Sequence, residues 1–149
     1  MRLRVLSIVT LLVCIVLLLI AVLNIYWAFG GHKGINGAIP TIKGHRLLHP
    51  GPLGTLAVAL SLILASIVIG VQGQIIRIPF LKRISFWSSC VIALVFLIRS
   101  IGDFRYVGFF KTVQRSIFAQ RDNMFYTPLC LLLTVMVAFI AVIGESKNR

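Results

Sequence analysis

Four apolar stretches of about nineteen residues each, Val5–Leu23, Leu53–Val71, Ile84–Gly102 and Tyr126–Gly144, dominate the chain, and only the third carries a charge, Arg99. A helix rises about 1.5 Å per residue, so about twenty apolar residues cross a hydrocarbon core of roughly 30 Å. A lipid-embedded backbone must satisfy its own hydrogen bonds, which for separate segments leaves only the helix. The pattern predicts an all-α integral membrane bundle of four transmembrane helices, at about 5–28, 53–72, 84–102 and 126–144, with two long connections on one face.

A soluble fold is excluded by 59% hydrophobic residues, 12% charged residues and a mean hydropathy of +1.03. The spans take up about half of the 149 residues, and the longest connection is about two dozen residues. The expectation is a single membrane domain over 1–149, with any function seated in the bundle or its loops. Arg2 and Arg4 ahead of the first apolar run give it the outline of a signal peptide, with small residues at Ala28 and Gly30. The run exceeds the roughly 7–15 residues of a signal core. It also ends in Asn24, Tyr26 and Trp27, which suit an interfacial anchor, so it reads as a retained span.

The net charge of +12, from 15 Lys and Arg against Asp103, Asp122 and Glu145, would suggest nucleic acid in a soluble protein. Here every cation but Arg99 sits beside a span, where Lys and Arg meet anionic headgroups. Membrane lipids are the expected partners, with self-association open and nucleic acid excluded. With both termini inside, seven loop and tail cations fall on each side, so the positive-inside rule ties. Arg2, Arg4, Arg77, Lys82 and Arg83 lie densest and closest to helix ends, which favours cytoplasmic termini in the cell membrane. Cys14, Cys90 and Cys130 are odd in number and fall in three different spans, so they read as small buried apolar residues.

The first connection, from Gly30 to Pro52, holds five of the 12 glycines before Pro50 and reads as a turn-rich loop. The second, from about Gln72 to Leu81, is short and contains Pro79, making spans two and three an antiparallel hairpin. In the third, Phe109, Phe110, Val113, Ile117 and Phe118 recur at helical spacing opposite Lys111, Gln114, Arg115 and Arg121. That pattern predicts an amphipathic segment in the headgroup layer over 109–121. Thr127 and Pro128 look like an N-cap and first helical residue. Ala57, Ser61 and Ala65 on span two and Ser85, Ser89 and Ala93 on span three recur every four residues. Small stripes of this kind let helices approach closely in lipid.

The face shared by the first and third connections gathers the candidate site. Ionisable residues within a span are costly and are functional candidates by default. Arg99 is one, and Asp103 follows one helical turn later as its partner. With Arg105, Tyr106 and Lys111 they form a cluster suited to a phosphate or carboxylate group: Arg99 and Arg105 clamp the anion and Asp103 orients Arg99. The simpler reading is that Arg99 ends its helix and snorkels to the interface. His45 and His49 are four apart, but Gly44 before them and Pro50 after them argue against a helix, and no Cys or Glu completes a metal set. His45 is retained as a headgroup-contacting or proton-handling candidate. Asp122 reads as a cap near the fourth span or a surface partner for Arg121 or Arg115, the alternative being an acid/base pair with Asp103. No metal and no cofactor is expected, and no G-x-S-x-G, phosphate-binding glycine loop or H-E-x-x-H is present in the sequence.

Three stretches carry a resemblance: Tyr26 to Gly31 with Ala38 to Pro40, Ile101 to Lys111, and Tyr126 to Cys130. They resemble a family of small bacterial four-span membrane proteins catalogued only as a domain of unknown function, family 3995. Gly102 to Phe109 is the most specific part. The resemblance implies fold and membrane location and supplies no reaction. The leading expectation is therefore a non-enzymatic membrane protein that binds an anionic lipid or similar amphiphile. The alternatives are a small enzyme acting on a lipid or isoprenoid headgroup, with Asp103 or His45 as acid/base group, and an oligomeric pore or transporter component.

Overall fold

The computed structural model describes residues 2–31, 41–42, 45–46, 51–101 and 125–146. Helix α1 spans Arg2–Ala28, strands β1 (Thr41–Ile42) and β2 (His45–Arg46) pair antiparallel, and helices α2 (Pro52–Gln72), α3 (Pro79–Ile101) and α4 (Thr127–Ser146) follow. All four helices are long and apolar enough to cross a membrane. This is an all-α bundle of four membrane-spanning helices.

Cross-helix contacts fix an up-down-up-down order. Cys14 Sγ donates to the Ser66 carbonyl at 3.3 Å while Thr10, one turn earlier on α1, lies against Gly73 just beyond the end of α2, so α1 runs antiparallel to α2. Ser100 Oγ donates to the Thr127 carbonyl at 3.0 Å, and the Gln72 side chain joins Ser85 to Ala141, running α3 antiparallel to α4. Leu6, Val13, Leu17, Ile69, Ala93, Leu133, Val137 and Ile140 form the central apolar cluster. Large side chains such as Leu19, Val22, Val58, Leu60, Trp87 and Val142 point outward, while Thr10, Ser66, Gln72, Ser85, Ser89, Ser100 and Thr127 are buried. With lipid as solvent, exposing Leu costs nothing and polar groups seek partners inside the protein.

Both hairpin-side helix starts lie earlier than the apolar runs suggest. Helix α3 begins at Pro79 rather than at residue 84, and α1 at Arg2 rather than at residue 5. Helical hydrogen bonding continues past the hydrocarbon edge into the headgroup layer, and Pro suits a first helical position because it lacks the N–H that would go unsatisfied there. Pro52 starts α2 in the same way after Gly51 in extended conformation. Thr127 is not a cap: residues 125–126 already form a π-type turn, and Thr127 Oγ1 is buried without a hydrogen-bond partner among the described residues.

The small stripe on α3 is buried as expected, with Ser85 and Ser89 at 0% exposure and Ala93 at 8%. On α2 the expected stripe holds only at Ala65, which packs against the core. Ala57 and Ser61 face outward, and Ser61 Oγ bonds back to the Ala57 carbonyl at 2.8 Å. The inward face is Thr55, Ala59, Ser66, Ile69 and Gly70. Helix α2 packs most extensively on α1 and α3 on α4, so α1 rather than the hairpin partner selects the buried face of α2.

Candidate functional site

One end of the bundle gathers the C-termini of α1 and α3 and the N-termini of α2 and α4, the ends from which the first and third connections leave. Helix α1 stops there in a Schellman turn. Gly30 takes φ +92°, the Gly31 N–H donates to the Tyr26 carbonyl at 3.0 Å and the Gly30 N–H to the Trp27 carbonyl at 3.1 Å. Only glycine adopts that φ without strain. A methyl group on Gly31 would run into the Tyr26 ring. The Tyr26 to Gly31 stretch thus has a backbone reason for its two glycines and its tyrosine.

Arg99 sits in the last turn of α3, half-buried, with its Nη1 enclosed. The neighbouring Ser100 is tied to Thr127, so Arg99 and Tyr126 lie at the same level of the bundle. Phe125 and Tyr126 meet edge to face at 6.1 Å. Lys82 and Arg83 belong to the start of the same helix, so α3 carries cations at both ends of the apolar run Ile84–Ile98. Of the other expected site residues, His45 lies in β2, opposite Ile42. A strand there rules out the helical face that the spacing of His45 and His49 would need. Asp103, Arg105, Tyr106 and Lys111 lie outside the described residues, as do Asp122 and the expected amphipathic segment 109–121. Among the described residues, no group of three or more His, Cys, Asp or Glu side chains could hold a metal ion.

A polar junction at the opposite end escapes sequence reasoning. Gln72, at 0% exposure, donates from Nε2 to the Ala141 carbonyl at 2.9 Å and accepts at Oε1 from Ser85 Oγ at 2.6 Å. One side chain thereby joins α2, α3 and α4. A methyl group on Gly144 would strike the Gln72 carbonyl, and one on Gly73 would strike the Thr10 side chain of α1. All four helices therefore converge here at van der Waals distance. The available signal was a lone amide closing an otherwise apolar span, which in lipid needs a protein partner.

A family model described as "Protein of unknown function (DUF3995)" matches residues 5–137. The chain belongs to this family. The DUF3995 match takes in α1, α2, α3 and the first half of α4, including both Arg99 and Gln72, and ends before Ala141 and Gly144. No curated protein and no solved structure matches the chain.

Proposed function

We propose that this DUF3995 member is a non-enzymatic multi-pass protein of the cell membrane that holds an anionic lipid or similar amphiphile where its first and third connections leave the bundle. The observation that carries this reading is Arg99, a guanidinium half-buried in the last turn of a helix whose preceding residues Ile84–Ile98 are uncharged. A cation kept beside hydrocarbon costs about 2.5–3.5 kcal/mol at mid-membrane and less towards the interface, and an anionic headgroup offsets that cost. Arg105 and Lys111 follow closely in sequence as further cations, with Asp103 orienting Arg99 and Tyr106 and His45 completing the contacts. Cytoplasmic termini accord with this reading, because Lys82 and Arg83 in the first turns of α3 and Arg4 in α1 bring cations against that membrane surface.

The test is thermal unfolding in a zwitterionic detergent during titration with phosphatidylglycerol. A ligand at 100 times its Kd stabilises the fold that binds it by about 2.7 kcal/mol. The wild type is expected to gain stability saturably, Arg99→Lys to gain less and Arg99→Gln to gain least. Equal gains in all three would remove the proposal. Turnover of a lipid headgroup that Asp103→Asn abolishes while binding persists would establish the enzyme instead.

A further inference from the structure

At the bundle end opposite Arg99, the start of α1 and the α2–α3 turn line a half-open cavity of about 660 Å³, with Arg77 and Lys82 exposed at its mouth. That volume lies within the roughly 300–1,000 Å³ of small-ligand sites. Its polar lining is Ser7, Gln74, Arg77 and Lys82, with no acidic residue among the described residues that line it. Ile76, Ile78 and Pro79 give it an apolar wall.

The wall is built rather than loose. Helix α2 ends in a second Schellman turn, with the Ile75 N–H donating to the Gly70 carbonyl at 2.9 Å and the Gln74 N–H to the Val71 carbonyl at 3.1 Å. The left-handed position is filled by Gln74, at φ +62°, rather than by a glycine. Ile76 N–H also reaches the Gly70 carbonyl, at 3.0 Å, and a methyl group on Gly70 would meet the Ile76 side chain at 2.7 Å. The turn is thus clamped onto α2, and Arg77 is carried on a fixed backbone one residue beyond it. The junction of Gln72 with Ser85 and Ala141 fixes α3 and α4 directly behind. Such pre-organisation reduces the ordering cost of binding.

We propose that this cavity binds the phosphate headgroup of an anionic membrane lipid, with Arg77 and Lys82 holding the phosphate and the acyl chains leaving over the Ile76–Ile78 wall. Arg presents a planar fork to phosphate oxygens and Lys a mobile point charge. An apolar wall beside two cations suits an amphiphile better than a free ion, and exposed Val5 and Ile8 on α1 continue the lipid-facing surface past Ser7. The site is independent of Arg99: Lys82 and Arg99 are 17 residues apart on α3, about 25 Å at the helical rise.

The experiment uses the full chain carrying Arg99→Gln, which removes the other proposed site, in phosphatidylcholine nanodiscs. Chain-spin-labelled phosphatidylglycerol is compared with labelled phosphatidylcholine by electron paramagnetic resonance. The expected result is a preference for phosphatidylglycerol that falls about fivefold in Arg77→Gln and about 25-fold in Arg77→Gln with Lys82→Gln. Ser7→Phe keeps both cations and fills the cavity from the α1 side, and is expected to abolish the preference. If Ser7→Phe keeps the preference, the cations act as a surface patch and the cavity site is overturned. A double variant with undiminished preference overturns it as well. Displacement by millimolar inorganic phosphate would assign the cavity to a free ion and overturn the lipid assignment, whereas undisturbed selectivity supports it.

Discussion

Replacing Gln72 by Leu removes a side chain that joins three helices while nearly keeping its volume. Two interhelical hydrogen bonds are lost, of 2.9 Å to the Ala141 carbonyl and 2.6 Å from Ser85 Oγ. Bonds of this kind in membrane proteins are worth about 0.6 kcal/mol each on average and at most about 1.7. Neither former partner is stranded. Ser85 Oγ also lies 3.0 Å from the Lys82 carbonyl, and the Ala141 carbonyl is a helix acceptor with a second lone pair, so no orphan penalty is added. The expected cost is about 1–3 kcal/mol for Gln72→Leu, and about 2 kcal/mol more for Gln72→Ala, which adds a cavity at a fully buried position. Reversible unfolding in mixed bicelles with SDS reads both values. A double-mutant cycle with Ser85→Ala should return a coupling of about 0.6–1.7 kcal/mol. A coupling near zero, or Gln72→Leu as stable as wild type, would refute the reasoning that this junction holds the bundle end together.

Three further substitutions probe other parts of the account. Ser89 Oγ is buried with no hydrogen-bond partner among the described residues, so Ser89→Ala should leave unfolding stability unchanged or raise it by about 1 kcal/mol; a loss above that would reveal a partner. Gln74→Gly relieves a non-glycine residue at φ +62° and should stabilise by about 1 kcal/mol in the same assay, with a clear destabilisation contradicting the strain. Gly30→Ala imposes a side chain at φ +92° and should cost about 1–2 kcal/mol, and an unchanged thermal midpoint would show that the α1 Schellman turn is dispensable.

The spans were legible because lipid imposes one long apolar run per crossing, and α2 begins within a residue of the expected start. Helix starts in the headgroup layer were not, since Pro79, Lys82 and Arg83 look like loop residues once the apolar run is taken as the helix. The stripe on α3 was found because burial and small size coincide at Ser85, Ser89 and Ala93. The stripe on α2 misled because small residues are tolerated facing lipid, and the choice of face rests on which helix is the neighbour, a tertiary fact. Arg99 announced itself as a charge within a span. Gln72 did not, because its role depends on Ala141, 69 residues away in sequence. The turn at Gln74 was hidden for a different reason: the residue in the left-handed conformation is not the glycine next to it.

The central claim is that the Arg99 end of the bundle holds a defined anionic amphiphile, and native mass spectrometry of protein extracted gently from its own membrane tests it most directly. The expected result is an adduct of one defined mass at fixed stoichiometry that fragments to an anionic headgroup, with one such adduct fewer on folded Arg99→Gln than on the wild type. Bare protein, a random lipid ladder, or as many adducts on Arg99→Gln as on the wild type would contradict it.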